Sequence, residues 1–371
     1  MTRKEDYSSF LNTLLSKNRP FAAWSMPGEI IPQIITGEKE DVLILPDFKN
    51  LNGQEGFVFA PFQITEESPL MLLKPRVWLK NYQDLCAFKL DQLASLAPDP
   101  TQEQDFYIIP EEDYLTDIRR SLAEIKKTRL NKVIISRLLA AERKKESPGE
   151  LYMQLRAMTP NAFVFLVSLP KAGIWMGATP EALLQSHGKM METVSLAGTQ
   201  PRRTDADYSW HTKEIEEQAF VSRYMLDVFY RFGVHPYSTR GPETMESGRV
   251  AHLKTSFQFA ARKVDHQLGN FIADLHPTPA VCGLPKEKAG RFISVVEKHD
   301  RRYYTGYLGP WRINNCVRLF VNLRCMEITP DRYILYAGGG ITSKSVPEEE
   351  WEETNNKART LLSAIEAVQN K

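Results

Sequence analysis

The stretch 317-VRLFVNLRCMEITPDRYILYAGGG-340 contains two apolar runs that are separated by the short turn Pro330–Arg332. Two extended runs joined by so short a turn predict a β-hairpin, and therefore an antiparallel sheet. Alternation within the first run places Arg324 on one face of its strand together with Asn322 and Arg318. The hairpin therefore predicts a sheet that carries a polar face.

Other parts of the chain show the same kind of pattern. Strands are predicted at KVIISRLLA, NAFVFLVSLP, RVAHLKTSFQFAARK and YYTGYLGPWRI. Helices are predicted at EEDYLTDIRRSLAEIKKTRL, over Trp210–Phe232 and after Pro347. Runs of strands joined by hairpins, with helices grouped around them, predict an α+β fold with mainly antiparallel sheets. No firm domain boundary is marked within residues 1–371.

Composition and charge narrow the class of protein. The 371 residues are 42% hydrophobic and 25% charged, with a formal net charge of +1. This balance gives no electrostatic reason to expect binding to nucleic acid or to an anionic membrane. The start, MTRKEDYSSFLNTLLSK, lacks the apolar core of a signal peptide, no stretch is as long as a membrane span, and the four cysteines form no C-x-x-C pair. We therefore expect a cytoplasmic protein without disulfides.

Two pairs of glutamates have the spacing of neighbours on a helix. Glu350 and Glu353 are three residues apart, with Lys357 one turn further, and Glu214 and Glu217 repeat the spacing. Two helices that each offer two carboxylates can enclose a hard cation such as Mg²⁺. The alternative is that both are solvated helix faces, since acidic residues also favour the first turn of a helix.

Several other features suit an anionic ligand. The glycine run before Ile341 lets backbone N–H groups approach an anion, although it can also simply relieve crowding. Arg324 can pair with a carboxylate, although most strand arginines are merely exposed. His252 lies on the strand face opposite Leu253, where a structural hydrogen bond is the plainer interpretation. The segment Pro277–Pro285 contains three prolines and a glycine, which predicts a rigid loop.

These motifs, taken in order, resemble the chorismate-utilising enzymes, which include anthranilate, aminodeoxychorismate, salicylate and isochorismate synthases. The resemblance is carried by KVIISR, GATPEALL, SLAGTQPR, KEIEEQ, HLKTSF, HPTPAVCGLPKEKA, YYTGYLG, VNLRCMEI, AGGGI and EEEWEETNNKA, from about Glu111 to the C-terminus. It implies one intertwined domain with two large antiparallel sheets flanked by helices. Residues 106–371 would then form the chorismate-binding catalytic region, and residues 1–105 a divergent part of the sheets.

The resemblance also implies the substrate, the cofactor and the reaction. Chorismate would be the substrate, and Mg²⁺ would be held by Glu217 and Glu353, with Glu214 and Glu350 binding directly or through water. Lys132 matches the general base of members that use water as the nucleophile, where ammonia-using members have glutamine. Glu181 matches the general acid that protonates the departing 4-hydroxyl.

Two alanines refine the expected reaction. Ala197 stands where aminodeoxychorismate synthases have a lysine that adds to the ring. Ala280 stands where members that eliminate pyruvate usually have threonine. Together with Lys132 they imply isochorismate synthase activity, in which water attacks ring carbon 2.

The substrate-binding residues are likewise implied by the resemblance. Those matched to carboxylate-holding positions are Tyr304, Arg324, Lys357 and the N–H groups of Gly338, Gly339 and Gly340, while His252 lies near the leaving group or the ring carboxylate with its role open. Ala280 also lines this part of the site. Gln218 replaces a histidine found in many members, so it would have to orient the metal ligand Glu217 in its place.

Alternatives stay open at this point. They are a salicylate synthase, an anthranilate or aminodeoxychorismate synthase component, or an inactive chorismate-binding relative. A menaquinone pathway is favoured over a siderophore pathway. We expect a monomer, with a dimer as the alternative, and no obligatory amidotransferase subunit.

Overall fold

The computed structural model describes residues 3–98, 105–203, 208–247 and 250–370. The helices in this part of the chain are α1 (Arg3–Ser16), α2 (Tyr82–Ala87), α3 (Glu111–Lys127), α4 (Pro148–Met158), α5 (Thr212–Arg231), α6 (Leu268–Leu275), α7 (Lys286–Val296) and α8 (Pro347–Gln369). The first nine strands are β1 (Phe21–Ser25), β2 (Gln33–Thr36), β3 (Val42–Leu45), β4 (Gly56–Ala60), β5 (Leu70–Leu73), β6 (Val77–Leu79), β7 (Lys132–Glu142), β8 (Phe163–Leu169) and β9 (Gly173–Thr179). The next nine are β10 (Ala182–His187), β11 (Met190–Pro201), β12 (Tyr237–Ser247), β13 (Val250–Ala260), β14 (Gly283–Leu284), β15 (Tyr307–Trp311), β16 (Arg318–Val321), β17 (Cys325–Ile328) and β18 (Arg332–Thr342).

These strands form two antiparallel sheets. Sheet A has the order β14-β7-β18-β17-β9-β8-β1-β2-β6, and sheet B has the order β12-β13-β11-β10-β16-β15-β4-β5-β3. The predicted hairpin is present as β17 and β18, which pair from Cys325 with Tyr336 to Ile328 with Tyr333. The predicted α+β fold with two large antiparallel sheets is therefore confirmed.

Residues before and after position 105 contribute to both sheets. In sheet A, β1 pairs with β8, and in sheet B, β4 pairs with β15. The predicted division at residue 105 adjoins residues 99–104, which lie outside the described residues. Within the described part of the chain, no helix is long and apolar enough to cross a membrane.

An aromatic layer fills the space between the sheets. Phe163 of sheet A stacks on Phe320 of sheet B with 4.2 Å between ring centroids, and Phe59 stacks on Tyr303 at 4.1 Å. The outer faces are covered by helices, with α1, α4 and α8 on sheet A and α5 and α6 on sheet B. Both faces of each sheet are thus buried, which explains why strands such as FVFLVSL are nearly continuous apolar runs.

Truncating the inter-sheet layer tests this arrangement. Because Phe163 is fully buried, we expect Phe163→Ala to lower the free energy of unfolding by about 3–5 kcal/mol, from lost burial and the cavity left behind. Urea denaturation measures the change. As a matched control, Ile44→Ala removes an apolar side chain that is 51% exposed and should cost less than about 1 kcal/mol. Equal losses in the two variants would contradict the proposed layer.

Candidate active site

A cavity of about 220 Å³ lies between sheet A and sheet B, bounded by β7, β11, β13, β18, α5 and α8. Every residue that the sequence predicts for the site lines this cavity. They are Lys132, Glu181, Ala197, Glu214, Glu217, His252, Ala280, Tyr304, Arg324, Gly338, Gly339, Gly340, Glu350, Glu353 and Lys357. Positions spread over more than 200 residues of sequence are therefore brought to one place.

The three glycines of β18 lie close to side chains that line the cavity. A Cβ added to Gly338, Gly339 or Gly340 would lie 2.9 Å from Tyr304 Oη, 2.5 Å from Glu350 Oε2 and 3.0 Å from Lys132 Cε, respectively. Contacts this short force a neighbour to move. The glycine run thus makes room for three functional side chains rather than only exposing its own backbone.

The backbone of the glycine run alternates in direction. Ser136 and Ile134, which lie opposite Gly338 and Gly340 in β7, direct their N–H groups to other partners at 2.7 and 2.9 Å. In an antiparallel ladder such pairs point their backbone groups away from each other, whereas the pair between them is hydrogen-bonded. Gly339 therefore faces β7, and we expect only Gly338 and Gly340 to offer N–H groups to a ligand carboxylate.

The predicted acidic pairs lie on two helices, as expected from their spacing. Glu217 of α5 accepts a 2.5 Å hydrogen bond from Lys132 Nζ, and Glu353 of α8 accepts one of 2.7 Å from Lys357. The Lys357 ammonium lowers the pKa of Glu353 below its usual range. Lys357 also donates to the carbonyl oxygen of Gly338 at 2.7 Å, which ties α8 to β18.

Glu181 has the electrostatics of an acid at neutral pH. It follows β9 in the GATPEALL motif and lies partly buried on the cavity wall. This desolvation raises the pKa of its carboxyl to about 7, against the opposing effect of Lys132, Lys357 and Arg324. At physiological pH, the carboxyl therefore exists in both the protonated and the ionised form.

His252 and Tyr304 are both held in their neutral forms. Burial lowers the pKa of His252 to about 4, and its Nδ1 lies 3.1 Å from the carbonyl oxygen of Gly198. A carbonyl only accepts, so Nδ1 carries the proton and Nε2 is the acceptor nitrogen. Burial also raises the pKa of Tyr304 far above its usual range, which keeps its hydroxyl available as a donor.

Arg324 reaches the cavity by a different route from the one predicted. The single strand expected across this stretch is wrong, because β16 ends at Val321 in sheet B and β17 begins at Cys325 in sheet A. Arg324 lies in the crossing between the sheets with φ of 47°. Alternation along one strand therefore does not apply to it. Burial lowers the pKa of its guanidinium, and Glu181 opposes that change.

Gln218 contacts the sheet below α5. Its amide nitrogen donates to Ser195 Oγ at 2.8 Å, to the Ser195 carbonyl at 3.2 Å and to Thr255 Oγ1 at 2.9 Å. These donors fix the helix on β11 and β13. The expectation that Gln218 orients Glu217 stays a prediction, and the contacts of its amide nitrogen give that role no support.

The carboxylates fit a divalent cation by their chemistry and by the space around them. Glu214, Glu217, Glu350 and Glu353 all line the cavity and offer oxygen ligands of the kind that Mg²⁺ prefers. The absence of a Cβ at Gly339 is what lets Glu350 lie against the strand. Within the described ranges, no three His, Cys, Asp or Glu side chains are yet gathered as a metal site. Glu217 and Glu353 would have to exchange their lysine partners for the ion.

Arg137 supports the site and was not identified from the sequence. It is buried on β7, its guanidinium carbon lies 3.5 Å from the ring centroid of Trp351, and its Nε donates to Thr354 Oγ1 at 2.8 Å. A further hydrogen bond joins it to Asn355. Burial lowers the pKa of Arg137 to about 10, which leaves it charged at neutral pH. The sequence does contain a sign of this role. Arg137 is a charged residue within the predicted buried strand KVIISRLLA, and a charged residue in such a strand requires partners.

A second buried arginine holds the opposite edge of β7. Arg301 donates to Glu297 at 2.6 Å, to the Ile134 carbonyl at 2.7 Å and to the Val281 carbonyl at 2.9 Å. Burial alone would raise the pKa of Glu297, but the Arg301 guanidinium holds it below its usual range. This ion pair joins β7 to the proline-rich loop that carries Ala280.

Comparisons with known proteins show the family and the fold of the chain. The sequence matches the family described as chorismate binding enzymes over residues 38–366. It is 30% identical to the vibriobactin-specific isochorismate synthase of Vibrio cholerae serotype O1, over 74% of this chain and 69% of that enzyme. It is 29% identical to anthranilate synthase component 1 of Thermus thermophilus, over 70% of this chain and 57% of that enzyme. The fold is similar to the menaquinone-specific isochorismate synthase MenF of Escherichia coli, with a TM-score of 0.74, 20% identity and coverage of 96% of this chain and 91% of that one.

Removing the Arg137 guanidinium should loosen α8. Because Arg137→Met loses the contacts to Thr354, Asn355 and Trp351, we expect the free energy of unfolding to fall by about 1–3 kcal/mol. Urea denaturation measures that loss, and amide hydrogen exchange should show faster exchange in α8. The control is Arg332→Met, which removes a half-exposed arginine and should change the free energy by less than about 0.5 kcal/mol. Unchanged exchange in α8 would contradict the supporting role.

Proposed function

The chain belongs to the family of chorismate-binding enzymes, and we propose that within this family it is an isochorismate synthase. The observation that carries the proposal is that one cavity contains both a candidate base and a candidate acid. Lys132 lines it as the only candidate base that the sequence predicts, and Glu181 lines it with a pKa of about 7. A base for water and an acid for a leaving hydroxyl are what this isomerisation requires.

The reaction exchanges one hydroxyl for another across the ring. Water attacks carbon 2, the ring double bonds shift, and the bond between carbon 4 and its hydroxyl breaks. Lys132 accepts the proton of the attacking water, and Glu181 donates a proton to the departing hydroxyl, which leaves as water. One water is consumed and one is released, so the product is an isomer of chorismate.

The ion pair between Lys132 and Glu217 is part of this mechanism. An amine accepts a proton only in its neutral form, so the pair must open before Lys132 can act as a base. If Glu217 held Mg²⁺, it would give up Lys132 as its partner. The same carboxylate thereby couples formation of the metal site to release of the base.

We propose that Glu214, Glu217, Glu350 and Glu353 hold Mg²⁺. The cavity presents these four carboxylates against three cationic side chains, so a substrate with two carboxylates would meet a net negative charge. Bound there, Mg²⁺ would reverse that sign, hold the ring carboxylate and draw electron density from the ring. Tyr304, Arg324 and Lys357, with the N–H groups of Gly338 and Gly340, would bind the carboxylates directly.

Two alanines in the cavity argue against the reactions of aminodeoxychorismate synthases and salicylate synthases. Ala197 and Ala280 both line it, and neither can add to the ring or donate a hydrogen bond. A lysine at position 132 favours water over ammonia as the nucleophile. We therefore place salicylate synthase second and the ammonia-using enzymes third, with no amidotransferase subunit.

The pathway that receives the product stays open between menaquinone and a siderophore. Relatives with either assignment share the fold and the matched region. We retain menaquinone as the expectation from the sequence, together with a cytoplasmic monomer.

Product analysis tests the proposed activity. Purified protein incubated with chorismate and Mg²⁺ should form isochorismate, and chelation of the metal with EDTA should abolish turnover. We expect Lys132→Ala to lower kcat by at least about 100-fold, because the attacking water loses its base. Chromatographic separation of the products measures both effects.

The control variant is Lys127→Ala, which removes an exposed lysine on α3 and should leave turnover unchanged. Salicylate and pyruvate as main products would replace the proposal with the second candidate. Unchanged chorismate, also after addition of ammonia, would contradict an enzymatic function.

The pKa of Glu181 predicts a pH dependence. A carboxyl with a pKa raised to about 7 donates a proton only below that pH, so kcat/KM should be lost as the pH rises through 7, by about tenfold per unit. Glu181→Gln should lower kcat by about 10²–10⁴-fold and remove this alkaline limb. Because its pKa is about 4, His252 should contribute no ionisation between pH 5 and 8. Steady-state kinetics from pH 6 to 9 would contradict the assignment if the wild-type profile were flat.

A further inference from the structure

A second, smaller cavity adjoins the proposed active site. Its volume is about 140 Å³, and it shares Lys132, Glu217 and Thr342 with the main cavity. Its other walls are formed by Asn131, Glu216, Phe220, Val221, Pro279, Leu284, Ser343 and Lys344. The Lys132–Glu217 ion pair thus stands between two spaces, and Lys132 borders both of them.

Thr342 lines both cavities and carries a buried hydroxyl. It is the last residue of β18 and pairs with Lys132 across the ladder to β7. Its backbone N–H donates to Ser345 Oγ at 3.1 Å, but its hydroxyl is buried and has no hydrogen-bond partner among the described residues. Buried hydroxyls normally have a partner, so this one is suited to a small polar ligand.

The proposed isochorismate synthase reaction requires a small polar ligand of this kind, namely water. The following inference therefore rests on the proposed function. Each turnover consumes one water on the Lys132 side of the ring and releases another on the Glu181 side. The two residues lie on different elements of the main cavity, β7 and the turn after β9. Once chorismate fills the main cavity, the nucleophilic water needs a place of its own beside Lys132.

We propose that the second cavity holds this water and that Thr342 Oγ binds it next to Lys132. A hydroxyl can donate to and accept from a water at the same time, so it can orient the water without competing with Lys132 for its proton. The apolar residues Phe220, Val221 and Leu284 limit the polar contacts that the water can make elsewhere. A space of this volume holds water readily.

Two substitutions, one that removes the hydroxyl and one that keeps it, test the role of Thr342. Thr342→Val keeps the shape and removes the hydroxyl, and we expect kcat for isochorismate formation to fall about tenfold while KM for chorismate changes less than about twofold. Thr342→Ser keeps the hydroxyl and should retain at least half of the wild-type kcat. Because Thr342→Val keeps the shape of the side chain and loses only the hydrogen bond to the water, its melting temperature should stay close to that of the wild type. A structural defect would instead lower the melting temperature.

The matched control is Thr239→Val, which makes the same change at an exposed position on β12 and should leave kcat unchanged. In crystals grown with MgCl₂, an ordered water should lie within hydrogen-bond distance of Thr342 Oγ and be absent from Thr342→Val. Wild-type kcat in Thr342→Val, or no such water, would overturn the role of Thr342 while leaving the proposed activity in place. A wild-type protein that forms no isochorismate would overturn the proposed activity, and the water's role with it.

Discussion

The pairing of β7 with β18 is the constraint on which the site depends. The two strands run antiparallel without interruption from Arg332 opposite Glu142 to Thr342 opposite Lys132. This register places the candidate base at one end of the ladder and the glycine run beside it. It also fixes α8, because Lys357 binds the Gly338 carbonyl and Arg137 of β7 binds two residues of the helix. A shift of one residue would turn each of these side chains to the opposite face.

Charge compensation within the cavity follows from the same arrangement. The acidic residues of α5 and α8 face lysines from β7 and from α8 itself, so ion pairs satisfy part of the site in the absence of ligands. Removing Lys132 would leave the mostly buried Glu217 carboxylate without its charge partner, which is costly. Binding of a cation by Glu217 and Glu353 would therefore replace their existing lysine partners. Glu181 differs because desolvation, not pairing, sets its proton affinity.

Much of the fold and site could be predicted from local signals. The hairpin at Pro330–Arg332 and the i, i+3 glutamate pairs each depend on short-range geometry, and the structure agrees with both. The position of Arg324 between the two sheets could not be predicted. The hydrophobic alternation of the sequence does not indicate where the chain leaves one sheet for the other, or that Arg324 adopts a positive φ. The roles of Arg137 and Thr342 depend on partners more than 200 residues away along the chain. Such partners follow from tertiary structure and not from sequence spacing.

The order of the strands has a consequence for synthesis of the protein. In sheet A, β7 lies between β14 and β18, and its whole length pairs with β18, which ends at Thr342. During translation, β7 is synthesised about 200 residues before β18. The edge of β7 that pairs with β18 therefore has no partner while the intervening chain is made. Exposed strand edges recruit other chains. Until β18 has been synthesised, this edge of β7 can pair with other chains, which favours aggregation of the nascent protein.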